Sequence, residues 1–240
     1  MRKIYKKNEK KYMSIIEHLD ELRERIITSI IFFSITSFIF LIYTKQITFI
    51  LQKPAIGIKF FQLAPGEYLF VSAKISLYCA LIINFPIIIY QILEFVRPGL
   101  TKQETMYVIP ITISSIILFF LGIIFSYQLL IPLTLNFLIN YGSEIIEPIW
   151  SFDEYFNFIL SIILSTGICF QMPIIQVLLG LNNVIQYKEM LQKWKYIAFT
   201  ASIIGAIITP STDPITQTCL TITILILYFT GIIILKIIKK

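Results

Sequence analysis

Histidine and cysteine are nearly absent from this 240-residue chain, which has one His and three Cys. His18 has no second histidine, CxxC or HExxH with which to share a metal ion, and Cys79, Cys169 and Cys219 stand singly in apolar runs, as buried structural thiols do. Charge is scarce as well, at 14% of residues against about 25% in soluble domains. Nine glycines exclude a collagen-like fibre, and 57% hydrophobic residues exclude a disordered chain. No GxSxG, P-loop or GxGxxG occurs, and no Asp pair lies in adjacent apolar runs. The chain is therefore expected not to be an enzyme, and to carry neither metal nor cofactor.

What the chain has in abundance is apolar length, with a mean hydropathy of +0.81. A helix crossing a hydrocarbon core of about 30 Å needs roughly 20 apolar residues. Six runs serve: about 26–44, 75–93, 106–130, 155–179, 196–209 and 215–235. The expectation is an all-α integral membrane protein with six transmembrane helices, the fifth and sixth short. It forms one polytopic domain over 1–240, in which 1–25 is an amphipathic N-terminal segment. The third run continues uncharged to Ser143, too far for one straight span. Pro132 and the polar Ser126, Gln128 and Asn136 predict that its membrane part ends near Leu130, with an amphipathic segment on the far surface. The fifth run is only about 21 Å long as a helix, which implies local thinning. Pro86, Pro110 and Pro173 lie inside spans and predict kinks.

The net charge of +6 is a matter of placement. Sixteen of the 20 Lys and Arg fall on the side that would hold both termini, and four, Lys45, Lys53, Lys59 and Lys74, fall on the other. Both termini are thus expected on the cytoplasmic side or its organellar equivalent, and the basic balance reflects orientation, not nucleic-acid binding.

Two segments on that side stand out. In Ser14–Arg25, Ile15, Leu19, Leu22 and Ile26 recur at helical spacing, and Ser14 with Glu17 forms a capping box. Its polar face is either a solvated surface with a Glu21–Arg25 pair or an acidic cluster that receives a basic ligand. In Glu94–Glu104, Pro98-Gly99 makes a turn and Thr101 with Glu104 offers a second capping box. Phe95 and Glu104 share the membrane side of Glu21, so an aromatic and two carboxylates can meet there.

HLDELRER before the first span, FVRPGLTKQE after the second, FQMPI within the fourth and TPSTDPITQ between the fifth and sixth together resemble the TatC family, the six-span receptor subunit of the twin-arginine protein translocase. The resemblance implies that Glu21 and Glu104 contact the paired arginines of a signal peptide, with Phe95 as the recognition-site aromatic and Arg23 and Pro98 shaping the same surface. The guanidinium fork matches a carboxylate bidentately, which an ammonium cannot do, so two fixed carboxylates can prefer Arg-Arg to Lys-Lys. It further implies docking of single-span TatA/TatB-type subunits around Thr209 and Gln217, a homo-oligomer within a receptor complex in the lipid membrane, and transport of folded cargo driven by the proton gradient. In one place the chain departs from the pattern, because Gln171 stands where many relatives carry a Glu in the fourth span. An amide there cannot titrate; alternatively it satisfies a carbonyl freed by Pro173.

A competing class, a secondary transporter of a small solute or ion, is suggested by Asn84, Gln171 and Gln176, but it calls for inverted repeats and an intramembrane ion pair that the sequence lacks. The Ile-rich, Ala-poor composition and the absence of an import peptide point to an organelle-encoded protein of the thylakoid membrane, with a bacterial or mitochondrial inner membrane as alternatives.

Overall fold

The computed structural model describes residues 15–55, 57–97, 102–141, 149–181, 184–208 and 214–238, and at 15, 102–104 and 208 the backbone only. Helix α1 (Ile15–Ile42) carries residues 15–25 of the amphipathic segment and most of the first apolar run as one uninterrupted helix. A short α2 (Thr44–Gln52) and a 3₁₀ turn lead to β1 (Lys59–Phe61). Helix α3 (Glu67–Val96) runs antiparallel to α1 and packs along it. Inside that contact the Asn84 side-chain NH2 donates to the Thr36 hydroxyl and to the Ala80 carbonyl, two donors that lipid would leave unmet, while its Oδ1 accepts no hydrogen bond among the described residues.

Helix α4 (Lys102–Phe125) passes through a π turn at Ser126–Leu130 into α5 (Ile131–Asn140). The helical stretch Thr105–Asn140 has 36 residues, about 54 Å at 1.5 Å each, well beyond one bilayer core. The expected end near Leu130 thus coincides with the π turn, and the following segment continues the helix. Leu130, Ile131 and Leu135 are fully buried against the α6 core.

The fourth run divides into α6 (Phe152–Cys169) and α7 (Met172–Leu181), with Phe170 and Gln171 between them. Pro173 explains the break, since it has no N–H to give the Cys169 carbonyl and its ring crowds that turn. After a short α8 (Tyr187–Gln192), α9 (Trp194–Ile208) has 15 residues, short for a span as expected. Helix α10 (Pro214–Ile238) corrects the expectation of a short sixth helix. Its 25 residues give about 37 Å, because Pro214 is suited to open a helix and Lys236 can reach back to the surface from the last turn. Among the described residues five helical stretches are long and apolar enough to cross a membrane, Thr105–Asn140 and Phe152–Leu181 each counting as one, and α9 supplies a shorter sixth.

At the end opposite Glu21, β1 pairs in parallel with β2 (Ile149–Ser151), Lys59 facing Ile149 and Phe61 facing Ser151. Lys74, counted above as a connecting charge, lies one full turn and more inside α3. Its ammonium donates to Asp153 (2.6 Å) and Asn157 (2.9 Å) at the start of α6. The Glu67 carboxylate accepts from the backbone N–H groups of Leu63, Ala64 and Asp153. Together these bonds lock the front of α3 to the front of α6, next to an apolar core built on Tyr155, Phe156 and Ile159.

Candidate functional site

Glu21 sits in the second turn of α1, on the face turned toward α3. Arg25, one turn on, donates from Nε (3.0 Å) and from Nη2 to a single carboxylate oxygen, Oε1. Its remaining nitrogen, Nη1, donates to Gln91 Oε1 across the interface at 3.0 Å. Arg25 therefore holds Glu21 from one side and ties it to α3. The other oxygen, Oε2, is shielded from water and accepts no hydrogen bond among the described residues. An unmet buried acceptor costs on the order of 1–3 kcal/mol, more when charged, so this oxygen is a place where a donor is wanted.

Phe95 reaches the same spot from the end of α3. Its ring lies flat against His18, with centroids 4.2 Å apart and planes 6° from parallel. His18 Nδ1 stands 3.8 Å from Glu21 Oε2, too far for a hydrogen bond. Below Phe95 a groove of about 350 Å³ runs between α1 and α3, lined by Leu22, Arg25, Ile26, Ile88, Gln91 and Phe95 among others. A cationic side chain placed at Glu21 would have an aromatic face beside it and an apolar trough beneath.

The structure brings together Glu21 and Phe95 of the residues singled out above, forms the Glu21–Arg25 pair that helical spacing offered, and adds His18 and Gln91. Arg23 is exposed on another face of α1 and has no partner among the described residues; the cation at Glu21 is Arg25. Helical geometry allows this from the start, since i,i+4 residues share a face and i,i+2 residues do not. Glu94 is occupied by Arg97 at 3.0 and 3.2 Å. Pro98, Thr101 and the Glu104 side chain lie outside the described residues, as do Ser14, Thr209 and the turn at 210–213.

Gln171, at the break between α6 and α7, is buried at membrane depth. Its Nε2 donates to the Ser115 carbonyl at 3.1 Å and its Oε1 accepts from the Ser115 hydroxyl. The amide thus clasps α4 and does not turn back to the Cys169 carbonyl that Pro173 leaves free. Gln217 of α10 donates to the Ser202 carbonyl (3.1 Å), tying α10 to α9.

With this geometry in place the comparisons are specific. A profile of the Sec-independent protein translocase protein (TatC) family matches residues 17–222. The tatC-like protein ycf43 of Gracilaria tenuistipitata var. liui is 58% identical over 228 residues, covering 95% of this chain and 96% of its own. The Sec-independent protein translocase protein TatC of Synechocystis is 44% identical, covering 92% and 87%. The chloroplastic protein of Pisum sativum is also 44% identical, covering 92% and 63%. A crystal structure of the twin-arginine translocase receptor TatC superposes with a TM-score of 0.84 at 37% identity, covering 93% of this chain and all of that one. A six-span helical frame, a profile match over residues 17–222 and close structural agreement leave one assignment: the chain belongs to the TatC family of Sec-independent protein translocase proteins.

Proposed function

We propose that the chain is the receptor subunit of a twin-arginine translocase, binding the paired arginines of signal peptides on folded cargo at Glu21, with Phe95 beside it and Glu104 as the second carboxylate. The observation that carries the reading is the unmet Oε2 of Glu21, set beside an aromatic ring at the head of an apolar groove. That combination suits a guanidinium followed by an apolar stretch of peptide. Arg23 and Pro98 are assigned to the rim of the surface.

Single-span subunits of the TatA/TatB type are the expected partners, docking near Thr209 and Gln217, and several copies of the chain are expected in one receptor complex. The proton gradient drives the transport, and the chain itself catalyses no reaction. Likeness to the chloroplastic pea protein and to the Synechocystis protein supports the thylakoid membrane as its place, with both termini on the stromal side.

Site-specific photocrosslinking to a twin-arginine signal peptide tests the assignment. Contact is expected to be lost after Glu21→Ala and after Glu104→Ala but kept after Glu9→Ala; unchanged crosslinking in the first two removes the site.

A further inference from the structure

The geometry points to His18 as a stand-in for arginine: its imidazole occupies the seat that a signal-peptide guanidinium takes between Phe95 and Glu21. This rests on the receptor reading above and refines it. The imidazole lies flat on the Phe95 ring at 4.2 Å and 6°. Its Nδ1 is turned to Glu21 Oε2, 3.8 Å away. That oxygen is screened from water and unmet by any described donor, while Arg25 fills Oε1.

A planar, nitrogen-bearing group flat on an aromatic face with its edge on a carboxylate is the arrangement a guanidinium prefers, because it stacks and forks at once. Imidazole has the right shape but the wrong reach, since 3.8 Å makes no hydrogen bond. The seat is therefore filled without being satisfied. An ammonium neither stacks flat nor forks, so the same seat discriminates Arg from Lys. His18 itself is 41% exposed at its side chain and lies in the opening turns of α1, where it has room to swing out.

Ordinary packing between α1 and α3 predicts the opposite sign. If His18 only braced Phe95, removing it would loosen the ring and weaken binding. If it holds the ligand's seat, removing it tightens binding.

The full-length chain, purified without a histidine tag and reconstituted in lipid nanodiscs, is titrated with a fluorescent twin-arginine signal peptide. His18→Ala is expected to tighten binding roughly 2- to 10-fold, the equilibrium equivalent of an aromatic pair that the ligand no longer has to displace. His18→Arg is expected to weaken it, because an internal guanidinium then fills the seat. No change or weaker binding in His18→Ala, or undiminished binding in His18→Arg, overturns the inference.

The wild-type chain gives a second readout, because His18 is its only histidine. Carbethoxylation of the imidazole by diethyl pyrocarbonate should accelerate when the peptide displaces it; slowing or an unchanged rate counts against the stand-in. Glu21→Ala separates the two claims. If that variant still binds peptide, the receptor site is wrong; if it does not bind while His18→Ala fails to tighten, only the role of His18 falls.

Discussion

The carboxylate of Glu21 is shared unequally, one oxygen gripped by Arg25 and the other left unmet. Neutralising it while keeping its shape isolates the charge. Glu21→Gln is expected to lower affinity for a twin-arginine peptide about 10- to 100-fold, as loss of a charged hydrogen bond does, measured by the same titration. Gln171 is a separate case within the span. Gln171→Leu removes both bonds to Ser115 and should cost about 0.6–1.7 kcal/mol in unfolding from micelles, the range for interhelical bonds in membranes. Peptide affinity should be unchanged. Glu21 was a candidate already in the sequence because the HLDELRER motif whose resemblance singles it out is local. The stack of His18 on Phe95 could not, since it joins residues 77 positions apart and depends on where α1 crosses α3. Gln91 was hidden for the same reason.

Among the elements, α7 and α10 meet closely at glycines. A Cβ on Gly231 would collide with Gln176 Oε1 and stand 3.0 Å from the Pro173 Cα, and one on Gly180 would collide with the Leu235 side chain. Gly231→Ala is expected to cost about 1–3 kcal/mol in unfolding, the usual penalty of overpacking, and adding Gln176→Ala should recover part of it. If the double variant is no more stable than the single one, the clash lies with the Pro173 backbone instead. A kink was expected equally at Pro86, Pro110 and Pro173, yet only Pro173 coincides with a division of the span, into α6 and α7, while Pro86 and Pro110 lie inside the continuous helices α3 and α4. The true length of α10 was not readable, because a terminal Lys tells nothing of how far its stem extends along lipid. The start of α3 was set too late for a related reason: a charge such as Lys74 in an apolar run reads as a boundary unless its partner, here Asp153 of α6, is known.

For the whole molecule, an even number of crossings puts the start of α1 and the end of α10 on one face of the membrane and the Lys74–Asp153 lock on the other. In a cysteine-free background, Asp20→Cys should react with a membrane-impermeant maleimide from the side that carries Glu21, and Glu154→Cys only from the opposite side. Labelling of both from one side would overturn the topology. Hydropathy exposed this plan because lipid demands long apolar helices wherever the chain crosses.

The strand pairing between Lys59–Phe61 and Ile149–Ser151 has a consequence for biogenesis. It joins segments separated by two complete crossings, and the same place joins Lys74 and Glu67 to the first residues of α6. A nascent chain halted after its third crossing carries a lysine without its carboxylate and a glutamate without one of its three backbone donors. Only arrival of the fourth segment completes both. The junction can therefore close only once insertion has reached Asp153.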